Sequence, residues 1–491
     1  MFYQTTLGRA ERLFPNRLAV IAGEQRLTFT ELSQRVRSLR AGLHERGFRP
    51  GDRLALHLPN CLEFLELVYA CTALGVLVVP LNIRLAGVEI EQILRDCQPR
   101  GLITHAALPA PEYAAPLRLR IGSDSLPYSD SAPPELRYNP EDILGLFYTS
   151  GTTGQPKGVE LSHRNHLANL LHLVPHVQLG PGDSFLHVAP MFHLADFPLL
   201  GLCPNRGATQ VILPRFDPES LCKTIEQQRV THTLLIPTMV NLLTQHPAVE
   251  QRDLRSLRLL MYGGSPMMPE VIARTRAKLP HTALMQAYGM TESCCVLTLL
   301  LDEEHNAQRL LSCGRPVAGV ELEVVDERGA PVRRGERGVI QVRAENVMVG
   351  YWNQPEETAR ALRRGWLHTG DIAYEDEAGF LYIVDREKDM IITGGFNVYP
   401  SDLEAELRQH PAVYDVAVVG VPSEQWGETP VAFVVRKPGE DTPAEAIKDW
   451  LNQRVGKTQR LADVHFIDDL PRSAIGKVLK RELRDQLTAS R

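Results

Sequence analysis

The segment Tyr148-Thr149-Ser150-Gly151-Thr152-Thr153-Gly154-Gln155-Pro156-Lys157-Gly158-Val159 follows directly on the apolar run Ile143 to Phe147. Within it lie three glycines, four serine or threonine hydroxyls and one lysine. Glycine lets a backbone approach a ligand closely, hydroxyls and N–H groups donate to phosphate oxygens, and lysine supplies charge. An apolar strand running into such a loop reads as an anion cradle, where a generic polar turn would be less dense in these groups. Two familiar cradles fail on spacing. Lys157 lies between Pro156 and Gly158, so GxxxxGK[ST] is absent here; Gly456-Lys457-Thr458 has Leu451 where that pattern needs its first glycine. Nor does a GxGxxG open a helix after the first strand, which excludes the usual dinucleotide fingerprint.

Outward from this loop the chain alternates strand and helix. Thr28-Phe29-Thr30-Glu31 reads as a capping box, followed by Leu32, Val36, Leu39 and Leu43 at helical spacing and closed by Gly47. Arg53 to Leu58 alternates as a strand, Phe64 to Ala73 as a helix, and Val76 to Pro80 as a second apolar strand. Val211-Ile212-Leu213, a helix opened by Asp217-Pro218-Glu219, and Leu234 to Pro237 repeat the pattern. Strand, helix, strand in this order predicts a parallel α/β sheet. Beyond about residue 310 short strands dominate, at Glu321 to Asp326 and Gly338 to Val342. A charge cluster, Asp385-Arg386-Glu387-Lys388-Asp389, precedes a compact α+β pattern in which Ser401-Asp402-Leu403-Glu404 reads as a second capping box.

Composition bounds the function. With 491 residues, two or three domains are expected. The net charge of −6 argues against nucleic acid as the principal partner. Eight cysteines without a CxxC pair, and no HExxH or Cys/His cluster, argue against a disulfide framework or a zinc site. The N-terminus lacks an apolar signal core, and the most apolar run, Leu67 to Leu81, is too short to span a bilayer and contains Gly75 and Pro80. A cytoplasmic protein without a transmembrane segment is the expectation.

The phosphate-loop string resembles the signature loop of the adenylate-forming superfamily, which includes acyl-CoA synthetases, aryl-CoA ligases, luciferases and adenylation domains. Six further motifs follow in that family's order. They are Gly263-Gly264-Ser265-Pro266, Gln286-Ala287-Tyr288-Gly289-Met290-Thr291-Glu292, Trp366 to Asp371, the 385–389 charge cluster, Gly394-Gly395-Phe396-Asn397-Val398-Tyr399-Pro400, and Pro471-Arg472-Ser473-Ala474-Ile475-Gly476-Lys477. Seven motifs in register cover essentially the whole chain.

The resemblance implies a large N-terminal domain, residues 1–387, with parallel sheets flanked by helices and a β-rich subdomain. A small α+β C-terminal domain, residues 388–491, would move on a hinge at Lys388. It implies ATP, Mg²⁺ and coenzyme A, with two half-reactions: a carboxylate attacks the α-phosphorus of ATP to give an acyl-adenylate and pyrophosphate, and a thiol then attacks the activated carbonyl. Residue by residue, Thr149, Ser150, Gly151, Thr152, Thr153, Gly154 and Lys157 would cradle phosphates. Gly263, Gly264, Ser265, Gln286, Ala287, Tyr288 and Gly289 would form the adenine side, and Asp371 and Arg386 would hold the ribose. Thr291 would donate to the α-phosphate, and Glu292 would bind the metal. Lys477 would bridge carboxylate and α-phosphate, although by composition alone it reads as a solvated lysine beside Lys480, Arg481 and Arg484. His193 would shape the acyl pocket, and Gly394 and Gly395 would line the thiol's path.

The segments around Phe192 to Leu202, Met261 to Ser265 and Ala287 to Val296 are apolar, which fits a fatty or aromatic acid better than acetate or an amino acid. Asp196 is near the place where an amino-acid-activating relative would put its aspartate. A carrier-protein pantetheine in place of coenzyme A, a nucleotide-binding homologue without turnover, and assembly as a homodimer stay open at this stage.

Overall fold

A computed structural model describes residues 3–132, 136, 139–150, 156–472 and 476–489. The chain divides into two compact units, Met1–Glu321 with Val342–Leu367, and Leu322–Gln341 with His368–Arg491.

The first unit holds two sheets. Of the nine strands in one, six are consecutive and parallel: Ala283–Tyr288, Leu259–Gly263, His232–Leu235, Ser184–His187, Thr209–Ile212 and Leu18–Ala22. Both faces are apolar, as a parallel sheet covered by helices requires. Alternation along the strands sends Leu186, Leu260, Tyr262 and Leu284 into one core and Phe185, Leu234, Met261 and Met285 into another. The second sheet has seven strands, among them Leu77–Pro80, Arg53–His57, Gly101–His105 and Leu117–Ile121 in parallel array. Its strands Ile143–Ser150 and Pro156–Ser162 pair antiparallel and flank the phosphate-loop segment in the sequence.

Local signals account for several element boundaries. Thr28 caps the helix Phe29–Glu45: its hydroxyl accepts from Glu31 N, and Glu31 accepts from Thr28 N at 2.7 Å. Asp217 caps Pro218–Gln228 by accepting from Ser220 N at 2.9 Å. The expected capping box at Ser401–Glu404 is absent. The helix Pro400–Leu407 starts after Tyr399 without a side-chain cap, and Glu404 instead accepts from Val418 N at 2.9 Å and pairs with Lys480 at 2.8 Å. A tertiary cation and an unpaired strand amide outbid the local cap.

The strand Trp366–Glu375, whose residues from His368 on belong to the second unit, pairs antiparallel with Leu381–Arg386 through Asp371 to Glu375. A further sheet contains Phe396–Val398, Ile391–Thr393, Gly427–Arg436, Val413–Ser423 and Asp463–Phe466. The helices Pro400–Leu407 and Ala444–Asn452 supply Leu403, Leu407, Ile447 and Leu451 to the core on one of its faces.

Candidate active site

The strand register sets Thr149 opposite Lys157 and Ser150 opposite Pro156. Gly151, Thr152, Thr153 and Gly154 lie outside the described residues. Lys157, 8% exposed, forms an ion pair with Glu357, and its ammonium is 5.0 Å from the centroid of the Tyr351 ring. Tyr351 Oη donates to Glu292 Oε1 at 2.9 Å. Burial, with the Glu292 carboxylate beside it, pushes the Tyr351 phenol above its ordinary range, so the donor keeps its proton. The Lys157 ammonium holds the Glu357 carboxyl below its ordinary range. Glu357, Lys157, Tyr351 and Glu292 thus form a continuous chain of contacts at the base of the phosphate loop.

Strand pairing explains why Tyr351 stands there. Gly350–Tyr351 adds antiparallel to the strand Pro156–Ser162, with Tyr351 opposite Val159, and Trp352 N donates to Gly158 O at 2.7 Å. Glu292 lies in the turn Thr291–Ser293, after the strand Ala283–Tyr288. That turn is fixed from the same segment: Met348 N donates to Glu292 O at 2.8 Å, and the buried Asn346 amide donates to Ser293 O at 2.7 Å and Val296 O at 2.8 Å. Gly289 is obligatory in this packing, because a Cβ there would stand 1.5 Å from Cys295 O. Asn346, Tyr351 and Glu357 belong to no motif that the sequence singled out. Their only signal is an asparagine, Asn346, ahead of the apolar stretch Val347 to Tyr351, followed by Pro355-Glu356-Glu357-Thr358.

Glu292 fits a magnesium ion. It is a hard carboxylate, 8% exposed, and among the described residues no cluster of three His, Cys, Asp or Glu side chains could hold a metal. A cation here would take one carboxylate from the protein and its other ligands from phosphate and water, which is the usual magnesium arrangement.

The adenine-side residues are neighbours. Gly263 is opposite Ala287 in the parallel register, with Gly264 and Ser265 following Gly263, and Gln286, Tyr288 and Gly289 flanking Ala287. Tyr262 Oη, buried beneath them, shares a hydrogen bond of 2.8 Å with His305 Nε2. His193 stands in the turn before the helix Phe197–Arg206, with Nδ1 accepting from Ala195 N at 3.1 Å and its carbonyl accepting from Asp196 N and Phe197 N at 3.0 Å.

The remaining candidates lie in the second unit. Asp371, 3% exposed, faces Arg386 across the strand pair and takes its Nε at 2.5 Å. Lys388 occupies the exposed turn Glu387–Asp389, next to an Arg484–Asp389 ion pair of 2.7 Å. Gly394 and Gly395 are the two-residue turn between Ile391–Thr393 and Phe396–Val398, with φ of 59° and 82°. Two successive positive φ values are what a tight hairpin demands, and glycine meets both at no steric cost. Lys477 is exposed between Gly476 and Val478, in a segment tied by Arg472 donating to Gly476 O at 2.8 Å. Ser473, Ala474 and Ile475 of that motif lie outside the described residues.

Comparison with known proteins bears on the whole chain. A family model described as AMP-binding enzyme matches residues 7–352, and one described as AMP-binding enzyme C-terminal domain matches 402–477. A feruloyl-CoA synthase from Amycolatopsis sp is 39% identical over 481 residues, covering 97% of each chain. A 4-coumarate–CoA ligase from Oryza sativa subsp. japonica is 36% identical over 504 residues, covering 94% of this chain and 88% of its own. The structure of the o-succinylbenzoate CoA synthetase from Bacillus subtilis with its acyl-adenylate intermediate superposes with a TM-score of 0.88 at 31% identity, covering 98% of both. The chain belongs to the AMP-binding enzyme family, among the adenylate-forming acyl- and aryl-CoA ligases.

Proposed function

We propose that the chain joins an aromatic carboxylic acid to coenzyme A at the expense of ATP. In the first half-reaction a carboxylate oxygen attacks the α-phosphorus and pyrophosphate leaves. In the second the thiol sulfur attacks the acyl carbonyl, the bond to the phosphate oxygen breaks, AMP leaves and the thiol proton is released. The observation that carries this reading is the Lys157–Tyr351–Glu292 chain behind the phosphate loop, which sets a cation and a metal-type carboxylate around one ring. Charge develops on phosphate oxygens in such a transition state, and fixed donors and cations are its main stabilisers. Magnesium on Glu292 would neutralise part of the triphosphate. Thr149, Ser150 and Lys157 bind phosphate, Thr291 donates to the α-phosphate, and the 263–265 and 286–289 segments flank adenine. Asp371 accepts from the ribose hydroxyls while Arg386 holds its carboxylate. Lys477 is the lysine of adenylation, Lys388 the hinge between residues 1–387 and 388–491, and Gly394–Gly395 the turn beside the thiol.

An aromatic acid is favoured over a fatty one because the acids named in the two sequence relatives are aromatic. The buried Phe192, Leu199, Met261 and Val296 supply an apolar wall for either. Coenzyme A is favoured over a carrier-protein pantetheine as acceptor on the same grounds. No helix among the described residues is long and apolar enough to cross a membrane. We propose that the enzyme acts in the cytoplasm, as a monomer or homodimer.

Pyrophosphate exchange and CoA-dependent AMP release, measured over aryl, fatty and small acids, test the reading. Aryl acids should support both. Lys477→Ala should lower exchange by about 10²–10³-fold, the usual loss on removing one such stabilising group. Exchange without AMP release on adding coenzyme A would instead indicate a carrier-protein acceptor, and near-normal exchange by Lys477→Ala would remove that lysine from the mechanism.

A further inference from the structure

The lysine of the phosphate loop already has an anion on it. The Lys157 ammonium, on a side chain 10% exposed, contacts Glu357 Oε2. The other oxygen of that carboxylate, Oε1, accepts from Arg360 Nη1. Lys157 first, and Arg360 after it, lower the Glu357 carboxyl below its ordinary range, so the group is a carboxylate near neutrality. One carboxylate therefore spans two cations, one buried at the phosphate loop and one in solvent.

Glu357 is held in this position by the strand that carries Lys157. It lies in the helix Pro355–Ala361, and the residues ahead of that helix are tied to the strand Pro156–Ser162. Tyr351 pairs with Val159, Trp352 N donates to Gly158 O at 2.7 Å, and Gln354 Nε2 donates to Pro156 O at 3.5 Å. Thr358 closes the strap: its Oγ1 accepts from Tyr351 N and donates to Gln354 O, both at 2.9 Å. Gly350 makes room for it, since a Cβ there would stand 2.9 Å from Thr358 Cγ2. These ties keep the carboxylate within reach of the ammonium, at a high effective concentration.

Burial of the lysine does not by itself explain the arrangement. A desolvated ammonium needs a partner, and Glu357 supplies one. A static partner, however, needs no second cation, and Glu357 has Arg360, whose side chain is 66% exposed, on its other oxygen. When a phosphate takes Lys157, Glu357 is left in an ion pair and not as a bare carboxylate. Neither end of the exchange then holds an orphaned charge. An incoming phosphate and Glu357 also repel each other, so the two compete for the lysine.

We propose that Glu357 is the internal counter-ion that Lys157 exchanges for the pyrophosphate end of ATP. It is a positioning residue: it keeps the lysine in place before nucleotide arrives and recovers it as pyrophosphate leaves. The consequence is a weaker hold on pyrophosphate than an unpaired lysine gives, which speeds departure of the first product. The proposal deepens the reading of the chain as an ATP-dependent acid–CoA ligase and rests on Lys157 as a phosphate ligand.

Calorimetric titrations with pyrophosphate, ATP and AMP, each with magnesium, test it in the unaltered protein, Glu357→Gln, Lys157→Ala and the double variant. Glutamine keeps the length and one acceptor oxygen but not the charge. If Glu357 occupies the lysine about nine-tenths of the time, its removal should tighten pyrophosphate and ATP by about tenfold. AMP, which lacks the pyrophosphate end, should stay within about twofold, the scatter of independent sites. Lys157→Ala should weaken pyrophosphate, and on that background Glu357→Gln should alter its affinity by less than about twofold, because nothing is left to compete for. Unchanged or weaker pyrophosphate binding by Glu357→Gln, an equal gain for AMP, or a gain that persists without Lys157 overturns the inference and leaves acid activation intact. Weakening of all three ligands together by Glu357→Gln would make the helix a structural strap only, and overturns it as well. Full pyrophosphate affinity in Lys157→Ala would remove that lysine from the phosphate site, and with it both this inference and the assignment it rests on.

Discussion

Tyr351 presents a different group to each of two charges: its ring face to the Lys157 ammonium at 5.0 Å and its hydroxyl to the Glu292 carboxylate at 2.9 Å. Tyr351→Phe keeps the ring and deletes only the donor. A hydrogen bond to a charged group contributes about 1.5–3 kcal/mol, so Glu292 should lose its fixed orientation but not its place. The expected outcome is a loss of about tenfold or more in the ATP affinity that magnesium confers, by calorimetric titration with and without the ion, while the magnesium-free affinity stays the same. Equal weakening in both titrations would count against a role through Glu292. Glu292 and Lys157 were legible in the sequence because each lies inside a local motif. Tyr351 and Glu357 were not, since their partners stand 59 and 200 residues away and no periodicity reports a pairing at that range.

Among the elements, two similar strings behaved differently. Thr28 to Glu31 closes on itself because nothing charged competes for Glu31, so a capping rule read it correctly. Glu404 has at 2.8 Å a lysine from the helix Lys480–Ala489 and at 2.9 Å an amide of the strand that follows its own helix. Local rules fail where a tertiary partner offers more than the cap does. The same reasoning bears on the turn Glu387–Asp389, which is short, exposed at Lys388 and followed directly by a new strand, Ile391–Thr393. A hinge absorbs its motion in a few backbone torsions, and proline fixes φ near −65°. Lys388→Pro should therefore leave acid-dependent pyrophosphate exchange within about threefold of normal and slow CoA-dependent AMP release by about tenfold or more, if rotation at this turn separates the half-reactions. Parallel loss of both activities would speak for a structural turn with no hinge function.

At the scale of the whole molecule, buried histidines of the first unit, three of them shifted far enough to name, couple its stability to acidity. Burial holds His163 and His232 at about 4 and His166 at about 3, against an ordinary value of 6.5. His166 is packed among Tyr3, Phe147 and Phe197 with neither ring nitrogen bonded, and Phe147 belongs to a strand that flanks the phosphate-loop segment. All three rings are neutral in the folded protein near neutrality, whereas in the unfolded chain they gain protons below about pH 6.5. The unfolded state then binds more protons, so stability is fully present above 6.5 and is lost as pH falls towards the folded values. Each ring costs about 1.4 kcal/mol per pH unit in that window, and three together cost roughly 4 kcal/mol per unit, a large share of the ~5–15 kcal/mol that holds a domain together. Urea midpoints measured at pH 7, 6 and 5 should fall accordingly, before most carboxylates begin to titrate. His166→Leu removes one of the three protonation sites without adding a polar group, and should make the fall shallower by about 1.4 kcal/mol per unit. A midpoint that is level from pH 7 to 5, or a slope that His166→Leu does not change, would mean that these rings are reached by solvent in the folded protein.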